Sequence, residues 1–299
     1  MRIHFALLFC TSVLFSSSAF AQKPIVVEEV IKEMSRGMQT GYEVLIPEIT
    51  LRDAKSALSK YLRKDSRGKV EEAKGELFIN GAVNKNISAD LFTVYSKLLE
   101  TDDGVKLTAF FTENDTLFFT SSLNPDQGIA IKKYLRDFAL MQYRDLVKKD
   151  LETQERKQKE LEHQLGELIK AKQKSERVIS ESKRTIENNK KEIALNNQQD
   201  NDKAAAVLSQ KQIVSSLKGS GGEEEKVAEK TLKNLQNDKR KLEKEKESLE
   251  REIDKLTIRI EDEQRSIENN LKAQEGKNNE IEKQKVKVKI TEVKLNTIL

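Results

Sequence analysis

Leu217-Lys218-Gly219-Ser220-Gly221-Gly222-Glu223-Glu224-Glu225 is the stretch on which the fold turns. Lys218 suits the negative end of a helix, Gly219 suits a left-handed cap, and three glutamates fill the first turn of a following helix. Stop and start signals therefore stand in the correct order. So short a link favours antiparallel neighbours.

Heptad spacing runs outward from this point in both directions. Before it, Leu151, Leu165, Ile179, Ile186, Ile193, Val207 and Val214 recur at that period, with Leu161, Leu168 and Leu217 on a companion line diluted by Ser182, Asn189 and Asn196. After it, Leu232, Ile253, Ile260, Ile267, Ile281, Val288 and Leu295 run beside Leu235, Leu242, Leu249, Leu256 and Ile298. A period kept this long predicts a coiled coil. The stretches Tyr143–Leu217 and Glu225–Leu299 are equal in length, about 110 Å each at helical rise.

Folding the chain about the glycines sets Ile193 against Leu249, Ile186 against Leu256, Val207 against Leu235 and Leu161 against Ile281. Ser182 then faces Ile260 and Asn189 faces Ile253. Lys203 falls opposite Lys239, an unfavourable layer. A parallel homodimer would instead stack Lys172, Asp200 and Lys203 each on its own copy, and like charges at a seam cost stability. The hairpin is the expected arrangement. Asn196–Asp202 is polar enough to interrupt the first arm. Lys285–Ile290 alternates like a strand, yet Ile281, Val288 and Leu295 carry the heptad through it and favour helix.

Composition changes near residue 144. Every tyrosine, phenylalanine and proline lies at or before Tyr143, and charged residues dominate thereafter. A segment of that kind builds amphipathic helices, not a globular core. The region before it reads as a small α+β domain. Tyr42, Val44, Leu45 and Ile46 form a strand ending at Pro47. Thr50, three residues before Asp53, caps a helix whose apolar face is Leu51, Ala54, Leu58, Tyr61 and Leu62. Glu76–Asn80, Leu91–Leu99 and Val105–Thr112 are further strands, the last two joined by the Asp103-Gly104 hairpin signal. In the fourth strand Val105, Leu107, Ala109 and Phe111 form the one buried face. Glu113, Asn114 and Asp115 turn the chain into Thr116–Thr120, completing an antiparallel meander. Val26–Met34 reads as a second helix.

The first residues read as a leader. Arg2 precedes the apolar run Ile3–Phe15, and Ala19-Phe20-Ala21 is an A-x-A site, so cleavage is expected after Ala21. The run is shorter than the roughly 20 apolar residues that span a bilayer. Cys10 follows bulky Phe9 in mid-run, which does not suit lipidation. The predicted organisation is a signal peptide over 1–21, an α+β domain over 22–125, a first coiled-coil helix over 126–218, a turn over 219–222 and a second helix over 223–299. The destination is periplasmic or extracellular.

Loss of the leader would remove Cys10 and His4, the only cysteine and one of two histidines. No thiol nucleophile, disulfide or thiolate metal site would remain. Ser-His-Asp and Cys-His catalysis and common zinc sites need histidines in company. His163, inside Glu160-Leu161-Glu162-His163-Gln164, is expected on a solvated helix face. Asp102 with Asp103 and Glu113 with Asp115 are read as turn residues, since no calcium loop surrounds them. Asn86-Ile87-Ser88 and Asn114-Asp115-Thr116 are formal glycosylation acceptors, relevant only in a eukaryotic secretory path. Gly219–Gly222 is a candidate contact tip but reads more simply as a flexible turn. No Walker loop or G-x-G-x-x-G occurs. An enzyme is not expected, nor any catalytic, cofactor-binding or metal residue, nor a cofactor. Lys and Arg number 54 against 50 Asp and Glu, interleaved, giving +4 and no concentrated basic patch for nucleic acid. Beyond the leader no apolar stretch is long enough for a transmembrane helix.

Gly41-Tyr42-Glu43-Val44-Leu45-Ile46-Pro47, the Asp53–Lys64 helix, the Gly75–Asn80 strand and the Asp103-Gly104 hairpin resemble an uncharacterised family of secreted Gram-negative bacterial proteins, which join a small α+β domain to a long Lys/Glu-rich coiled coil. The resemblance implies export and architecture and carries no functional residue. Two functions are expected from these readings. One is a structural or adaptor protein using a coiled-coil hairpin as spacer or interaction rod. The other is a binding module whose α+β domain recognises an envelope protein, peptide or glycan. The partner is an envelope or secreted protein, and the chain is a monomeric hairpin or a hairpin-mediated homo-oligomer.

Overall fold

The structure is a computed structural model that describes residues 24–298 apart from 65 and 67. The expected leader over 1–21 and its cleavage after Ala21 lie outside the described residues. The chain is α+β: a six-stranded antiparallel sheet with one short helix, then two long helices. Its described residues divide into two compact units, those up to 156 with 286–298, and residues 157–285.

In the first unit the elements are β1 (Val27–Met34), β2 (Gly37–Pro47), α1 (Leu51–Lys64), β3 (Val70–Ala73), β4 (Glu76–Ala82), β5 (Phe92–Thr101) and β6 (Gly104–Thr112). They form one sheet in the order β1-β2-β6-β5-β4-β3. The segment Val26–Met34 corrects the sequence reading, because it pairs with β2 from Val27↔Val44 to Met34↔Gly37. Four β-branched residues, Val26, Val27, Val30 and Ile31, sit in it, and a long ladder outweighs a weak, uncapped helical pattern. β3 has no counterpart in the sequence reading. It is joined to β4 through Lys74 and Gly75, with φ of 51° and 76°, the two-residue hairpin loop in which both residues are left-handed. Thr116–Thr120 is not a strand. It makes one isolated bridge, Thr112↔Phe118, and Phe119 N–H donates to Phe111 O at 2.9 Å.

The tight turn between β5 and β6 is Asp102-Asp103, with Gly104 following at φ 139°. A Cβ on Gly104 would lie 2.2 Å from Ile46 O, so glycine is required both by its backbone and by its neighbour. Asp103 O accepts Glu48 N–H at 3.0 Å in the same crowded corner. α1 begins as expected: Thr50 Oγ1 accepts Asp53 N–H at 3.2 Å and donates to Asp53 Oδ2 at 2.9 Å. Ala54, Leu58 and Leu62 are its buried residues, whereas Leu51 is exposed.

The main core lies between one face of the sheet and the helices. Tyr42, Val44, Ile46, Leu107, Phe111 and Leu58 meet Ile131, Leu135, Phe138, Ala139, Tyr143 and Val147, all on α2 (Pro125–Leu217). Ile298, just beyond α3 (Glu223–Thr297), is buried in the same cluster. The packing unit thus extends well past residue 125 and takes in the chain's final turns. The Val, Leu, Ile and Phe side chains among these each contribute about 1.5–3 kcal/mol on burial.

β6 is not buried on one face alone. Phe110 is 0 % exposed and packs on the opposite face with Met34, Tyr95, Phe118 and Phe78. The β1–β2 hairpin tip reaches these residues, because Lys97 Nζ donates to Glu33 O at 2.8 Å and Ser35 N–H donates to Glu76 Oε1 at 2.8 Å. A face covered by the chain's own hairpin tolerates large aromatics where solvent would select polar residues.

The second unit consists of parts of α2 and α3. Asn196–Asp202 does not interrupt α2, and Lys285–Ile290 is helical within α3. Val288 is 9 % exposed while Val286 and Ile290 are 44 % and 53 % exposed, the pattern of one helical stripe. The turn that joins the helices keeps Gly219 at φ 91°. Glu225 folds back to accept Gly221 N–H at 2.9 Å and Gly219 N–H at 3.3 Å, tying the glycine turn to the first turn of α3.

Bonds between the two helices in this unit step away from the turn in order. Gln210 Nε2 donates to Ala228 O, Lys203 Nζ to Asp238 Oδ2, Lys239 Nζ to Asp200 Oδ2, and Asn270 Nδ2 to Leu168 O. The lysine layer is relieved here. Each of Lys203 and Lys239 takes an aspartate from the opposite helix, at 2.7 and 2.9 Å. Ser182, Asn189, Asn196 and Gln284 are buried, so polar residues are part of the interior of this unit.

Candidate functional site

The residues singled out in the sequence do not converge. Asp102 and Asp103 form the β5–β6 turn. Asp115 accepts hydrogen bonds from Arg36 and Tyr95, both at 2.8 Å, while Glu113 accepts a long one from Ser88 at 3.5 Å. Asn114 Oδ1 caps the loop through Thr116 and Leu117 N–H groups. His163 is exposed on α2 beside Gln164, Glu167, Leu168 and Lys277. Among the described residues no group of three His, Cys, Asp or Glu is placed to hold a metal ion. No described helix is long and apolar enough to cross a membrane.

Three features of the first unit hold unusual chemistry. The first is the aromatic face under the β1–β2 tip. Phe78 and Tyr95 stack at 5.7 Å, and the Arg36 guanidinium lies 6.0 Å from the Tyr95 ring. Burial, followed by the hydrogen bond to Asp115, pushes the Tyr95 hydroxyl above its ordinary range. Glu76 is 1 % exposed; its Oε1 takes Ser35 N–H with Lys97 Nζ at 3.5 Å, and Oε2 has no hydrogen-bond partner among the described residues. These groups fasten the tip down over the sheet.

A second feature joins three elements around Glu48, which has φ 59° between β2 and α1. Lys294 Nζ contacts both Glu48 oxygens at 2.7 Å and lies 5.5 Å from the Tyr143 ring centre. Tyr143 O–H donates to Glu48 Oε1 at 3.3 Å. Burial lowers the Lys294 ammonium, but the Glu48 hydrogen bonds and charge outweigh it and leave Lys294 raised. Together with buried Ile298, this contact fixes the last turns of α3 to the sheet unit.

Third, an open groove of about 470 Å³ runs between α1 and α2. Ala57 and Tyr61 on α1 and Met141 and Leu146 on α2 supply apolar surface, and Ile49 closes one end. Tyr61 is wedged against Tyr134 and Phe138, with ring centres 4.8 Å apart in both cases, and donates its hydroxyl to Tyr134 O. Lys60, Lys64, Asp145 and Lys149 stand exposed along the groove. Sequence periodicity identified the α1 face but not the groove, which depends on where α2 docks.

No family model matches this chain, and no curated protein matches it.

Proposed function

We propose that the protein is exported and works as a structural adaptor of the cell envelope or its exterior, with α2 and α3 as a coiled-coil hairpin spacer. The order of the inter-helix bonds carries this reading. Gln210–Ala228, Lys203–Asp238, Asp200–Lys239 and Leu168–Asn270 fall in the sequence of an antiparallel pair folded at Gly219–Gly222. α3 alone has 75 residues, about 110 Å at helical rise. The contact of Lys294 with Glu48 and the burial of Ile298 support a base that holds the helix ends in fixed places.

Crosslinking mass spectrometry on the full chain tests it. Links from Lys190 or Lys191 to Lys246 or Lys255 within single molecules are expected. Links at those sites found only between molecules would defeat the hairpin.

The groove favours a second reading, in which the α+β unit is a binding module for an envelope protein or peptide. The two readings are compatible, since an adaptor needs a partner. They differ in which part of the chain a partner would touch.

A further inference from the structure

From the groove's shape and its charge we infer that it receives an amphipathic helix with acidic flanks, supplied by a partner protein. Helices docked in grooves are held by apolar side chains on one stripe and selected by charges beside it. Both are present here. Ala57, Tyr61, Met141 and Leu146 line a trough bounded by two helices, and Met141 is 42 % exposed although it is a large apolar residue. The small side chain of Ala57 leaves room for a residue to enter between α1 and α2.

Charge distinguishes the occupant. Lys60, Lys64 and Lys149 line the groove and make no ion pair with another described residue. Asp53 is engaged by Thr50, and Asp145 stands one helical turn from Lys149 on α2. The groove therefore offers more unpaired cations than anions. A basic helix would meet repulsion there, and a neutral one would leave the cations unanswered. An acidic flank gains attraction to these cations and a faster encounter at low salt.

This inference deepens the binding-module reading and is independent of the hairpin. The test uses the full chain and a fluorescent synthetic helix of about four turns, with leucines along one stripe at the spacing of groove-bound helices and glutamates on both flanks. A matched peptide carries lysines in place of the glutamates, and a third has the leucines out of register. The acidic amphipathic peptide should bind at least about tenfold more tightly than either control, a difference of about 1.4 kcal/mol. Its binding should weaken with added salt, and Lys60→Glu with Lys64→Glu and Lys149→Glu should abolish it. Ala57→Trp, which fills the trough without changing charge, should abolish it too, with circular dichroism confirming that each variant keeps its helices. Equal binding of acidic and basic peptides, or binding unchanged by both sets of substitutions, would overturn the inference. So would self-association of the chain that these substitutions remove, because a second copy would then be the occupant. Intramolecular crosslinks between the long helices would survive all of these outcomes and keep the adaptor reading separate.

Discussion

Lys294 Nζ sits 2.7 Å from each carboxylate oxygen of Glu48, a residue 246 positions earlier in the chain. The connection between β2 and α1 and the last turns of α3 thus meet at a fixed point beside Tyr143. The ion pair is half exposed, with 33 % of the Lys294 side chain and 52 % of the Glu48 side chain open to solvent. Screening limits such a pair to about 0.2–1 kcal/mol. Ile298, four residues on, is 2 % exposed and packs in the core. Lys294→Ala should therefore cost little in denaturant unfolding, whereas Ile298→Ala should cost about 2–5 kcal/mol.

Phe138 anchors α2 under the sheet and packs at a tilt against Tyr61, ring centres 4.8 Å apart. Phe138→Ala leaves a cavity among Leu135, Ala139 and Tyr143 and should destabilise the chain by about 3–5 kcal/mol, measured by urea titration. Met141→Ala, on the exposed side of the same helix, should be close to neutral.

Gly104→Ala tests the crowded corner after β5. The new methyl meets Ile46 O and Glu48 N, at 2.2 and 2.7 Å from the ideal position, and the φ of 139° is unfavourable to an L residue. A loss of at least about 1–3 kcal/mol is expected, read from thermal unfolding.

The reciprocal pairs Lys203–Asp238 and Lys239–Asp200 are separable by charge exchange. Asp238→Lys sets three cations together and should lower the melting temperature of the helices. Adding Lys203→Asp restores one opposite-charge pair across the helices and should recover most of the loss. Failure of the double substitution to recover would mean that these contacts do not set the alignment.

Acid should loosen the long helices. Hydrogen bonds with Lys203, Lys170 and Lys277, followed by their charges, lower the carboxyls of Asp238, Glu167 and Glu280 below their ordinary values. Folded-state values below unfolded ones give a contribution that is complete above the ordinary carboxyl range, near about pH 4. It is lost as pH falls through the depressed values. Circular dichroism melts at about pH 3 and pH 6 should therefore differ, with the acid sample less stable.

Much of the architecture was written in short-range signals. Thr50 with Asp53, Asp103 with Gly104, and Gly219 before Glu223–Glu225 each mark an element boundary through local chemistry that needs no partner. The misread segments depended on distant ones. Val26–Met34 becomes a strand only because β2 lies beside it, and Val70–Ala73 only because Lys74 accepts a left-handed backbone. Phe110 is buried on the second face because the β1–β2 tip folds over it, a contact without sequence periodicity. The lysine layer at Lys203 and Lys239 looked repulsive since direct opposition ignores the neighbouring Asp200 and Asp238. The groove was equally hidden, as its walls are separated by some eighty residues of chain and joined only by packing.

The proposed return of the chain at Gly219–Gly222 is tested most directly by electron–electron distance measurement. Labels at Lys183→Cys and Arg259→Cys lie on exposed positions of α2 and α3 and leave the buried seam untouched. Packed helices are separated by roughly 10 Å between axes, so a single distance near about 20 Å between labels is expected in isolated molecules. A distribution centred near about 110 Å, the value for one continuous helical path, would contradict the hairpin.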